Sequence, residues 1–178
     1  QINKLSREIT NAVQKKNQLN AKSNQLKQTL PAHTQKIQLA QAAVQGAKAS
    51  SNKANKQVTN LTTKLNNLKT TCAATPTPKC QKQVANVTAK LNAAKKTANQ
   101  KAQLFTAAQN DLKAKKQAKK KVEKQIAGNA AKVTQIDKNN SAKGIKVASL
   151  QQTKNQKAAQ LRTAQNTLKP LVKKMKQD

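Results

Sequence analysis

The chain has 178 residues, 36 Lys+Arg against 5 Asp+Glu, and a formal net charge of +31. Hydrophobic residues make up 35% and aromatics 1%, which excludes an aromatic-rich globular core and leaves enough for a thin seam between helices. A charge imbalance this large cannot be neutralised within the molecule, and it attracts any extended polyanion.

Gly and Pro total 3 and 4, so helix breakers are few. From Ile2, alternating steps of three and four residues pass through Leu5, Ile9, Ala12, Lys16, Leu19, Ser23, Leu26, Leu30, His33, Ile37 and Ala40. They continue through Val44, Ala47, Ser51, Ala54, Val58, Leu61, Leu65 and Leu68 to Cys72. Such an a/d heptad seam, sustained over roughly ten heptads, predicts a helix packed along one stripe. Pro31 falls inside it and predicts a kink or a break.

The seam stops at residues 73–79, where Pro76 and Pro78 predict a turn. It restarts at Cys80 and runs through Val84, Val87, Leu91, Ala94, Ala98, Lys101, Phe105, Ala108, Leu112, Lys115 and Lys119. Val122, Ile126, Asn129, Val133, Ile136, Asn140, Lys143, Val147 and Leu150 complete it. The two halves mirror each other about Pro76, so that Leu68 faces Val84, Leu65 faces Val87 and Leu61 faces Leu91. Sizes complement across the mirror as well, with Ala47 against Phe105 and Ala40 against Leu112. That complementarity predicts an all-α fold, an antiparallel helical hairpin over residues 1–144 rather than a parallel dimer. Cys72 and Cys80 bracket the turn at equivalent seam positions and predict a disulfide, hence an oxidising compartment.

Residues 137–144 are rich in Asn, Lys and Ser and end in Gly144, a loop signal. A third helix is expected from residue 145 to the end, 145–178. Its own seam is Leu150, Leu161, Ala164, Leu168, Leu171 and Met175. That stripe needs covering, either by folding back on the hairpin or by a second copy, which makes homo-oligomerisation through 145–178 an expectation.

No catalytic constellation stands out. His33 is the lone histidine, no carboxylates are paired for acid–base work, and no Gly-rich phosphate loop is present. The chain reads as a protein without enzymatic activity, cofactor, metal or small-molecule substrate. The lysines carry the signal instead. The densest block is Lys113, Lys115, Lys116, Lys119, Lys120, Lys121 and Lys124, with Lys95 and Lys96 as a second group. The acids Glu8, Asp111, Glu123, Asp137 and Asp178 look too scattered to offset them.

Arginine occurs only at Arg7 and Arg162. Lysine is a mobile point charge and lacks the planar fork of arginine, so tolerant attraction is expected over sequence readout. With no aromatic platform for bases, single-strand recognition is disfavoured. The expected partners are glycosaminoglycan-like glycans, nucleic acid read only through its backbone, polyphosphate and anionic surfaces. The expected role is a secreted, structural or adhesive one. A membrane-active or antimicrobial cation and the stalk of a surface adhesin are the alternatives. Asn60, Asn86 and Asn139 each begin an N-glycosylation sequon, relevant to a eukaryotic secreted protein.

Overall fold

A computed structural model describes residues 1–174. Two helices account for nearly all of it: α1 (Ile2–Ala74) and α2 (Pro78–Lys174), packed against each other. No strand occurs among the described residues.

The turn is shorter than its composition suggests. Only residues 75–77 are non-helical between the two helices. Thr77 caps α2, its Oγ1 accepting the Cys80 N–H at 3.2 Å, while the Gln81 N–H donates to the Thr77 carbonyl at 3.1 Å. Pro78 then occupies the first helical position, where its missing N–H costs nothing and its fixed φ suits the helix. The same proline that ends one seam therefore starts the next. Cys72 and Cys80 form the expected disulfide, with Cα atoms 5.6 Å apart. By loop-closure entropy, a bridge over so short a loop contributes about 2–3 kcal/mol.

The seam is confirmed position by position. Every seam residue from Ile2 to Cys72 and from Cys80 to Leu150 is buried or half-buried. Outside it, only Glu8, Thr34, Thr62 and Thr88 are less than exposed. Large apolar residues off the seam, such as Leu39, Leu104 and Ile145, face solvent.

Contacts divide the chain into two compact units. The first, Thr29–Glu123, holds the turn, the disulfide and the best-packed part of the seam. Leu65, Val87 and Leu91 form its core, with Val58, Leu61, Leu68 and Val84 packed around them. Ala40, Ala54, Ala94, Ala98 and Ser51 are buried too. Small side chains let the helix axes approach closely, which is how a chain with one aromatic residue excludes water at all.

The second unit comprises Gln1–Gln28 and the residues from Lys124 onward. Its seam residues are half-buried. Ile2 and Leu150 lie together at its end, where Gln1, Ile2, Asn3, Leu150 and Lys154 line a shallow groove. Within this unit the cross-helix pairs Glu8–Lys143 and Lys16–Asp137 fall one residue either side of the mirror, so the register set at the turn holds here as well.

Three expectations change. First, α1 continues through Pro31, which is exposed, and does not end there. Leu30, His33 and Ile37 hold the seam across it, and the Thr34 hydroxyl donates to the Leu30 carbonyl at 3.0 Å. Seam packing on both sides outweighs the roughly 3 kcal/mol preference against an interior proline. Second, residues 137–144 are helical, so no loop separates a third helix and α2 runs unbroken to Lys174. Propensity is a weak guide where tertiary contacts decide. Here Ile136, Asn140 and Lys143 sit in the seam, and ion pairs from α1 grip the segment at Asp137 and Lys143. One cost remains: Asn140 Oδ1 is buried without a hydrogen-bond partner. Third, the C-terminal part of α2 does not fold back. Residues 151–173 are exposed throughout. Met175 and Asp178 lie outside the described residues.

Threonine, a weak helix former, is accommodated by a recurring local bond. In both helices Thr hydroxyls donate to the carbonyl four residues back, as Thr62 does to Val58 and Thr88 to Val84, each at 2.8 Å.

Candidate functional site

The acidic residues are not scattered. Each of the four within the described residues pairs with a lysine at a seam position. Glu8 Oε2 accepts from Lys143 at 2.8 Å, and Asp137 Oδ1 accepts from Lys16 at 2.7 Å. Both pairs cross between the helices. Asp111 pairs with Lys115, and Glu123 with Lys119 at 3.8 Å, both one turn apart on α2. The four lysine side chains are about one-third exposed, at 31–34%. A seam ammonium loses part of its hydration and needs a counter-charge, and the carboxylates stand where that need arises. The fifth seam lysine, Lys101, stands opposite Ser51 in the mirror.

This arrangement sorts the lysines predicted to attract polyanions. Lys115 and Lys119 belong to the seam and are neutralised. Lys95, Lys96, Lys113, Lys116, Lys120, Lys121 and Lys124 are exposed. Lys113, Lys116 and Lys120 line one shallow groove on α2 with Gln109, Leu112 and Gln117. Their spacing of three and four places about one ammonium per helical turn, or about 5.4 Å along the axis. Lys121 lies on a neighbouring face, and Lys124 opens the other unit. Because the carboxylates are committed to seam lysines, they do not cancel this outer charge.

Asn60 and Asn86 are exposed on α1 and α2, each next to a seam residue. Asn139 is also exposed and accepts a hydrogen bond from Gln135 at 3.0 Å. All three sequons are helical. His33 lies half-buried in the seam. Among the described residues, no group of His, Cys, Asp or Glu could hold a metal ion, and no helix is long and apolar enough to cross a membrane.

The Lys143 hydrogen bond, then the Lys143 charge, and more weakly that of Lys4, hold the Glu8 carboxyl below the usual glutamate range against a small opposing desolvation. A carboxyl with a lowered folded pKa stabilises the fold above its unfolded value of about 4.3, and that stabilisation disappears as pH falls through the lowered folded value. Acid should therefore loosen the Glu8–Lys143 end of the hairpin. Carboxyl-carbon NMR should show Glu8 titrating below an unstructured glutamate in the wild type. Lys143→Gln should return it toward the ordinary range, and an unchanged Glu8 midpoint in that variant would remove the pair as the cause.

Comparison with known proteins yields no match. No protein-family model matches the sequence, and neither a curated protein nor a solved structure is significantly similar to it. Fold and surface therefore define the class on their own: a disulfide-tied antiparallel helical hairpin with its few carboxylates turned to the seam and its outer charge cationic.

Proposed function

We propose that this chain is a non-enzymatic polyanion binder of an extracellular setting, with a structural or adhesive role. The observation that carries this reading is the division of charge. The carboxylates serve seam lysines, while unpaired ammonium groups cover the exposed faces of both helices. A solvated coiled-coil face ordinarily mixes Lys with Glu for cross-helix pairing. Here the outside does not, so the field it projects has one sign. The Cys72–Cys80 bridge supports an oxidising compartment. Lysine in place of arginine, and the near absence of aromatics, support backbone or sulfate attraction over sequence readout.

Heparin, duplex DNA and polyphosphate titrated across a salt series test the reading. All three should bind, with log affinity falling linearly against log salt, because binding releases condensed counterions. Failure of all three to bind at low salt, with helix content intact by circular dichroism, would refute it.

A further inference from the structure

The seam does not stop where its partner does. α1 begins at Ile2, beside Leu150 of α2, yet α2 continues as helix to Lys174. The heptad frame carries on through Lys154, Lys157, Leu161, Ala164, Leu168 and Leu171. Leu161 is 60% exposed and Leu168 57%. Val172 widens the stripe beside Leu168, where it shares a shallow groove with Gln165 and Lys169. An apolar stripe in the frame of an existing helix–helix interface is built for another helix.

Charge narrows the choice of that helix. Residues 151–173 carry Lys154, Lys157, Arg162, Lys169 and Lys173 and contain no Asp or Glu. A second copy laid along this segment would set cations against cations. The paired part of the seam shows what such a stripe takes instead: four of its five lysines meet a carboxylate. Lys154 and Lys157 hold equivalent seam positions, and their segment supplies no such group. We infer that residues 151–173 of α2 dock an acidic amphipathic helix of another protein, whose apolar stripe covers Leu161, Leu168 and Leu171 and whose carboxylates meet Lys154 and Lys157. This site is distinct from the polyanion surface, because it requires an apolar stripe as well as negative charge. A bilayer is the poorer occupant. Two lysines lie in the stripe itself, and the segment has no aromatic residue to anchor it at a lipid interface.

The full chain, titrated with two synthetic peptides of identical Leu and Glu content, tests this. One peptide sets Leu at a and d, with Glu placed to face Lys154 and Lys157. The other scrambles the same residues so that no stripe forms. The patterned peptide should bind at least about tenfold tighter. The Leu168→Gln/Leu171→Gln double variant should lose that difference while keeping its helix content and its affinity for heparin. Equal binding of the two peptides would overturn the proposal in favour of plain charge attraction. Sedimentation showing a dimer that the double variant dissolves would assign the stripe to a second copy. Leucine-dependent partitioning onto phosphatidylglycerol vesicles, without preference for the patterned peptide, would assign it to a membrane surface.

Discussion

Leu91→Ala should lower hairpin stability by about 2–5 kcal/mol, while Leu39→Ala and Leu104→Ala should each change it by less than about 0.5 kcal/mol. The three substitutions remove the same atoms. They differ in what surrounds them. Leu91 is 6% exposed and packs with Leu65 and Val87, whereas Leu39 and Leu104 are 66% and 57% exposed, off the seam. Truncating Leu91 loses its transfer free energy and leaves a cavity that a thin interface has few neighbours to fill. For a chain of this length, that loss lowers the melting midpoint by roughly 5–15 °C in thermal circular dichroism. Equal destabilisation at all three sites would mean that the seam does not hold the helices together.

The contrast matters because the chain has so little else. Its fully buried apolar side chains are Leu65, Val87, Leu91 and four alanines, and they lie between Ala40 and Ala98. Loss of packing there is not shared among many neighbours. The second unit depends more on its two cross-helix ion pairs, whose lysines are about one-third exposed. Exposed pairs contribute modestly and weaken with salt. The hairpin should therefore fray from the Ile2–Leu150 end first.

Much of this architecture was legible because a heptad is a rigid rule. Once Ile2 and Leu5 set the frame, each later seam position was fixed, and the mirror about Pro76 paired Leu65 with Val87 before any coordinate was known. Residues 137–144 were misread because Asn, Ser and Gly report local preference, while the contacts that make them helical come from Glu8 and Lys16, more than a hundred residues away. The carboxylates were misjudged for a related reason. Seen along the chain they are isolated. Seen across the mirror, Glu8 flanks Ile9, the seam partner of Lys143, and Asp137 flanks Ile136, the seam partner of Lys16. The i, i+4 spacing of Asp111 with Lys115 and of Lys119 with Glu123 was visible in the sequence too. Asking which lysines lay in the seam, and then which acids stood beside them, would have found all four pairs.

That distinction yields the second large effect. Replacing Lys113, Lys116, Lys120 and Lys121 together with Gln should flatten the salt dependence of heparin or duplex DNA binding. Each lost phosphate contact lowers the slope of log affinity against log salt by about 0.9, so the four together lower it by up to about 3.6 on duplex DNA. Lys115→Gln and Lys119→Gln lie within the same stretch but should change the slope by less than about 0.5. Their ammonium groups sit in the seam, already facing Asp111 and Glu123, and release no counterions when a polyanion arrives. Net charge falls by one for every lysine replaced, so a binding mode that felt only total charge would lose slope in proportion to the number of substitutions wherever they lie. A flattening confined to the outer four ties attraction to the exposed face of α2. Equal flattening per residue in both sets would mean that the seam opens when the ligand binds, and the hairpin could then no longer be treated as the rigid scaffold that displays the charge.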